Sequence, residues 1–288
     1  MAKLRNQTIT AKDIEEYLAT QDDFDLELYV YRTAKKLGLS ATHGGTYEDP
    51  ITEKPRQFDV RAGAERGNHR IDLAIECKSL RASYPLLLSR IPRSEEESFH
   101  QVIYSYHPPR RRLGTSVDPL DVAMPVWLEG NQSIYRPKEK VAKSTVQVGR
   151  NEKGELIAGD NEIFDKWSQA LGSAGELVAS ANYACQQRER QQFFTCVLPI
   201  LVITDNTLWV ADYSQAGALE AAPRQVDEAT LFVGRRYSSK LLPTYTLSHL
   251  HIYTRSKIGQ FLDQVANDGN LWQSIFPEAA IQKAIEKG

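Results

Sequence analysis

The chain holds only three cysteines among its 288 residues. Cys77, Cys185 and Cys196 are odd in number and far apart, which excludes a disulfide framework and a zinc-type cysteine pattern and suits a reducing compartment. No stretch approaches the ~20 consecutive apolar residues of a membrane-spanning helix, so no membrane partner is expected. No apolar run follows Met1-Ala2-Lys3-Leu4-Arg5-Asn6, so no signal peptide is expected and the cytoplasm is the expected location. The net charge of −2 argues against a protein that coats nucleic acid by bulk charge, though a local basic groove is compatible with it. Ala142-Lys143-Ser144 ends like a phosphate-binding loop, but Pro137 and Ala142 supply none of the required glycines. The histidines show no metal-ligand spacing, and His249 and His251, on alternate residues, are expected on a strand surface. Internal repeats and low-complexity segments are absent.

What the sequence does hold is a charged hairpin. In Ile71-Asp72-Leu73-Ala74-Ile75-Glu76-Cys77-Lys78 the apolar residues alternate with Asp72, Ala74, Glu76 and Lys78, so one strand face is apolar and the other carries charge. Gly67-Asn68 suits the two-residue turn that joins this strand to Phe58-Asp59-Val60. With Arg66 opposite His69, Asp59 falls opposite Glu76 and Val60 opposite Ile75, and the apolar faces coincide. A slip of one residue would destroy that match. Directly opposed side chains have Cβ atoms ~4.5–5.5 Å apart, close enough for two carboxylates to hold one cation. Lys78 projects from the same face as Glu76, and Cys77 from the apolar face, as core. Asp72 would oppose Gly63, nearer the turn, and is the weaker metal candidate.

Around the hairpin, Thr10 and Asp13 predict a capped helix to about Ala19. Phe24, Leu28, Tyr31 and Leu37 predict a second helix closed by Gly38. A strand is expected over residues 39–47, broken at His43-Gly44-Gly45, a tight turn near enough to the hairpin for a substrate contact. Residues 81–161, with prolines at 85, 92, 108, 109, 119, 125 and 137, are expected to form an irregular insertion or small subdomain outside the central sheet. A long helix is expected over residues 162–187, then a buried strand over 196–204, strands near 207–213 and 245–253, and a helix over 257–266. The fold class is α/β: a central mixed sheet flanked by helices, with residues 1–80 and 162–288 as core. The long helix would act as a crossover that creates a parallel strand pair.

This element order, with Asp59 and then Glu76-Cys77-Lys78, resembles the PD-(D/E)xK nuclease superfamily and its restriction-endonuclease-like core of helix, three strands, helix and strand. The resemblance covers residues 23–80 and 162–213 as architecture and a handful of residues as motif. Glu76-Cys77-Lys78 is the only (D/E)xK tripeptide in the chain; Phe58 replaces the proline that precedes the first acid. The apolar run into Glu76 is similar to the Mrr-type restriction branch. The resemblance implies a divalent-metal-dependent endonuclease acting on DNA, in restriction or antiviral defence. Asp59 and Glu76 would bind Mg²⁺ or Mn²⁺, with the Cys77 backbone carbonyl as a third ligand and Glu27 as an outer one. Lys78 would orient the attacking water or hold negative charge. Gln169 stands where some branches carry a helical glutamine, although Ser173 replaces its usual tyrosine companion.

For DNA contacts, the densest positive clusters are Arg110, Arg111 and Arg112, and Lys138, Lys140 and Lys143. Residues 101–150 hold eight Lys or Arg against four acids. The inserted segment is therefore expected as a flap that brings these cations to the nucleic-acid backbone. A homodimer and a partner protein of a defence system are compatible with this reading. Its rivals are an inactive nuclease-fold module that binds nucleic acid or a partner, and an RNA or repair nuclease.

Overall fold

A computed structural model of the chain describes residues 6–20, 23–106, 122–186, 192–238, 242 and 244–286. Helices α1 (Ala11–Thr20) and α2 (Phe24–Lys36) come first, followed by strands β1 (Ser40–His43), β2 (Thr46–Glu48), β3 (Pro55–Gln57), β4 (Val60–Arg66) and β5 (His69–Lys78). Next are β6 (Leu86–Pro92), β7 (Phe99–Tyr106), β8 (Val122–Glu129), β9 (Lys140–Arg150) and β10 (Leu156–Gly159). The long helix α3 (Asn161–Gln186) leads into β11 (Gln192–Ile203), β12 (Leu208–Asp212), β13 (Arg224–Gln225), β14 (Glu228–Tyr237) and β15 (Tyr245–Thr254). Helices α4 (Arg255–Asn267), α5 (Gly269–Ile275) and α6 (Glu278–Ile285) complete the order. No helix among the described residues is long and apolar enough to cross a membrane.

The fold is α/β, with a mixed sheet of 13 strands and helices on its faces. The sheet runs β1-β4-β5-β11-β15-β14-β9-β6-β12-β13, with β7, β8 and β10 joined at its side. The β4–β5 hairpin has the expected register: Val60 opposes Ile75 and Arg66 opposes His69. Gly67 turns the chain at φ 58°, a left-handed conformation that glycine adopts without steric cost. After α3 the chain returns as β11, parallel to β5 from Phe194 against His69 to Ile203 against Lys78. β11 is parallel to β15 as well, and it is buried along nearly its whole length, as its apolar run predicts.

Burial on both faces places the site. Ile71, Leu73, Ile75 and Cys77 of β5 pack with α2 and α4 through Val30, Phe261 and Leu262. On the opposite face α3 lies across the sheet and packs Leu171, Ala174 and Val178 against Ala74 and Val197. The charged face of β5 is therefore covered by a helix. Gly172 leaves room on α3 for the β2–β3 hairpin: a Cβ there would stand 2.9 Å from both the Asp49 carboxylate and the Tyr47 hydroxyl.

The largest departure from expectation is residues 81–161. The described residues of this range form β6 to β10, all within the main sheet, and β6 and β9 lie inside its strand order. The prolines misdirect because strands tolerate them at edges and ends. Pro92 closes β6, and Pro125 sits in β8, whose sole ladder partner among the described residues is β7. The chain is thus not split into a core and an irregular insertion.

His249 and His251 also differ from expectation: both are buried, beneath Tyr135. The Tyr135 hydroxyl is 2.7 Å from His251 Nε2, and the Tyr135 ring stacks on His249 at 3.7 Å. His100 is buried nearby, where its Nδ1 accepts the Ile134 amide and its Nε2 donates to the Ile275 carbonyl. That pattern requires a neutral ring. Burial pushes His100 and His251 down to about 4 and His249 to about 2. The unfolded chain therefore takes up protons below about pH 6.5 that the folded protein refuses. This contribution is fully present above that pH and is lost as pH falls toward 4, on the order of 2 kcal/mol per histidine at about pH 5. Buried Glu76 and Asp72 carry raised pKa values and act in the opposite sense, so the comparison must isolate one histidine. We predict that His100→Gln flattens the pH dependence of the urea midpoint between about pH 7 and 5. Parallel profiles for the two proteins would contradict it.

Candidate active site

The hairpin register sets Asp59, one residue before β4, beside Glu76 of β5. The Asp59 amide faces Glu76 Oε1 at 3.4 Å, and Asp59 Oδ2 accepts the Cys77 amide at 2.8 Å. The two carboxylates thus meet as the sequence predicts. Glu76 is wholly buried, and its Oε2 has no hydrogen-bond partner. Burial, and next the charge of Asp59, raises its pKa well above the ordinary carboxylate value.

The cation between these carboxylates is Lys166, from the second turn of α3. Its Nζ lies 2.9 Å from Asp59 Oδ2, 3.7 Å from Glu76 Oε2 and 3.9 Å from Asp23 Oδ2. Burial disfavours its charge, but the surrounding carboxylates outweigh that and raise its pKa above the usual lysine value, so it stays protonated. Lys78 shares the face without touching Asp59 or Glu76 through an ion pair. Its Nζ is 3.6 Å from Asp23 Oδ2 and 3.7 Å from Glu162 Oε2. Asp23, at the start of α2, joins the two lysines, and its other oxygen accepts the Ser79 amide at 2.6 Å.

Glu27, one helical turn along α2, faces the same centre. It bonds His43 Nε2 at 2.9 Å; burial first, and the charge of Asp59 second, raises its pKa. His43 is flanked by Phe24 and Tyr31, so the His43-Gly44-Gly45 break carries a side chain of the cluster. The Cys77 thiol is buried in the core behind the site. Asp72 opposes Gly63 and binds Arg70 at 2.7 Å, apart from this group. Gln169 contributes its carbonyl to the Tyr47 hydroxyl.

A second contact fixes α3 over the site. Arg61 of β4 donates to Ser173 Oγ at 3.1 Å and to Glu176 Oε2 at 2.6 Å, while stacking on Phe58. Lys166 and Ser173, seven residues or about two helical turns apart on α3, both reach groups of the β4–β5 hairpin. Lys166 and Asp23 are the residues that the hairpin motif misses. No local signal marks Lys166, because β6 to β10 separate α3 from the hairpin in the chain.

The expected DNA-binding cations do not join this group. Lys140 binds Glu220 and the Tyr213 carbonyl, and Lys143 binds Glu97. Lys138 is exposed in a left-handed turn, φ 69°, before β9. Arg110, Arg111 and Arg112 lie outside the described residues. Among the described residues, no group of three or more His, Cys, Asp or Glu side chains is placed to hold a metal ion. The centre is the Asp59–Glu76 pair with Lys166 between them, and Asp23 joins Lys166 to Lys78.

No protein-family model, curated protein or solved structure matches this chain.

The arrangement has a stability consequence. Removing one partner of a buried ion pair leaves an uncompensated charge, at a cost of about 3–5 kcal/mol when burial is complete. Lys166 keeps some solvent contact, so Lys166→Met should destabilise the metal-free protein by about 2–3 kcal/mol. Adding Glu76→Gln to that variant should restore much of the loss, because the buried charge goes with it. Urea titrations of the three proteins measure this; equal midpoints would show that the lysine does not hold the carboxylates.

Proposed function

We propose that the chain is a divalent-metal-dependent endonuclease with a restriction-endonuclease-like core. It hydrolyses DNA phosphodiester bonds, in the cytoplasm, in restriction or defence against phage. The observation that carries this reading is the convergence of Asp59 and Glu76 across the hairpin, inside a cluster that also holds Lys78 and Lys166. Mg²⁺ ordinarily binds through one or two protein carboxylates, with water and substrate phosphate completing its shell. Asp59 and Glu76 fit that donor set, and Glu76 Oε2 is a buried oxygen without a hydrogen-bond partner, 3.7 Å from the Lys166 ammonium. By resemblance the Cys77 carbonyl would be a third ligand, with Glu27 behind. Mg²⁺ or Mn²⁺ would neutralise the scissile phosphate and acidify the attacking water.

The chain's own residues have separable tasks. Asp59 is oriented by the Cys77 amide, so its carboxylate points into the site before any ion arrives. Lys166 prepays the repulsion between the carboxylates in the resting protein. Lys78, bound to the exposed Glu162 and to Asp23, can exchange those partners for phosphate oxygens and hold charge on the leaving side. Cutting both strands of a duplex would take two such sites, which suits a homodimer or an added partner protein.

One observation favours a second reading. Lys166 already occupies the position between the carboxylates, as it would in a nuclease fold that only binds nucleic acid or a partner protein. The two readings separate on metal dependence. For a nuclease, plasmid is nicked with Mg²⁺ or Mn²⁺ and not with EDTA, and Asp59→Ala or Glu76→Ala lowers the rate by at least a hundredfold while the protein stays folded. Thermal unfolding should also shift upward with Mn²⁺ in the wild type and not in Asp59→Ala. Cleavage in EDTA would reject the metal role. No cleavage and no thermal shift would favour the binding module.

A further inference from the structure

Beside Lys78 a cleft of about 510 Å³ opens between the loop after β5, the β9–β10 hairpin and the start of α3. Lys78, Arg81 and Arg150 supply its charge, and Glu162 is the one acid on its wall. In a chain with a net charge of −2, this is a local reversal of sign. The cleft is continuous with the carboxylate pair through a chain of contacts: Lys78 to Asp23, Asp23 to Lys166, Lys166 to Asp59. We infer that this cleft binds the phosphate backbone of the DNA strand next to the bond that is cut. The inference rests on the nuclease reading above and deepens it.

Two of the three cations here, Arg81 and Arg150, are available in a way that those of the early β9 strand are not, while Lys78 is shared with Asp23 and Glu162. Arg81 is exposed and makes no side-chain hydrogen bond or ion pair among the described residues. Arg150 is exposed and, among the described residues, its side chain binds only the Gly154 carbonyl of its own turn, which leaves its other guanidinium donors unused. Lys140 and Lys143, by contrast, are engaged by Glu220 and Glu97. Guanidinium groups match phosphate oxygens in paired geometry, which makes arginine the better backbone clamp.

Tyr84 adds an aromatic surface. Its ring lies on the β9–β10 hairpin, where Gly149 and Gly159 make room: a Cβ at either would stand 2.6 Å from its Cδ2 or 2.7 Å from its hydroxyl. Gln147, Gly149, Ile157 and Gly159 share that hairpin face by register, and Gln147 Nε2 bonds the Tyr84 carbonyl. The volume is that of a small-molecule site, room for about one nucleotide. A nucleotide flanking the scissile bond could then place its phosphates on the arginines and its base on Tyr84. A second cleft of about 420 Å³, at the turn end of the hairpin, lacks this character, because its Arg70 is bound by Asp72 and Glu65.

The test is binding of the full chain to a labelled duplex and the matching single strand, in EDTA so that nothing is cut, across a salt series. An Arg81→Ala, Arg150→Ala double variant should bind roughly ten- to a hundredfold more weakly, and its salt slope should fall by about 1.8 on duplex and about 1.4 on single strand. Glu162→Gln should bind more tightly, because it removes the acid. Tyr84→Ala should weaken the single strand more than the duplex, and Tyr84→Phe should bind as wild type. A double variant with wild-type affinity and slope, in a protein that does nick plasmid, overturns the cleft and leaves the nuclease reading intact. A wild-type protein that neither binds nor cuts DNA overturns both.

Discussion

A carboxyl group without solvent organises this molecule. Glu76 is wholly buried under α3, and an isolated carboxylate there would cost far more than the fold could sustain. Such a group is neutralised by a proton or faced by a cation; burial raises its pKa, and Lys166 faces it from the helix that covers it. The helix that buries the charge therefore also brings the countercharge. Lys166 is thus one of the contacts that seat α3 on this part of the sheet, beside the packing of Leu171, Ala174 and Val178. Arg61, bound to Ser173 and Glu176 two helical turns further along, sets the same helix at a second point.

The same constraint shapes the sheet. Asp59 must oppose Glu76, so the hairpin register must hold, and it does so because Val60, Ala62, Leu73 and Ile75 are all core on the other face. β11 lies parallel to β5 along ten paired residues, from Phe194 against His69 to Ile203 against Lys78. Its apolar side chains fill both faces and hold β5 rigidly. A charged site built on a strand flanked by β4 and β11 has its geometry fixed by packing more than by its own interactions.

What could be read in the sequence follows from the range of the signals. The Asp59–Glu76 juxtaposition was legible because strand alternation and a two-residue turn settle a register locally. α2 was legible from its helical spacing, α3 from a long run rich in Ala, Leu and Glu, and β11 from a nearly continuous apolar run. Residues 81–161 were not, since prolines at strand ends and in an edge strand read as loop. Those strands pair with partners far along the chain, such as β6 with β12. His251 reads as surface in an alternating strand, and only packing under Tyr135 reveals it as core. Lys166 lies 90 residues after Glu76 in the chain, and no local pattern ties the two together.

Counting charges along a chain is a poor map of where a phosphate would be held. Lys140 and Lys143 stand in the most basic stretch of the described residues, yet their charges are spent on Glu220 and Glu97 and present little field to a ligand. They also lie toward the start of β9, whose 11 residues separate them from Arg150 at its end. At ~3.3 Å per residue, Lys140 and Arg150 are ~33 Å apart along the strand. Arg150 and Arg81 belong to no cluster in the sequence, and they meet because the β9–β10 hairpin folds back beside the end of β5. Attraction for a polyanion depends on cations left uncompensated at one place, close to water, and within a Debye length of ~8 Å of one another. In the cleft beside Lys78, Arg81 and Arg150 are exposed and bound by no acid among the described residues, whereas Lys140 and Lys143 are bound by Glu220 and Glu97.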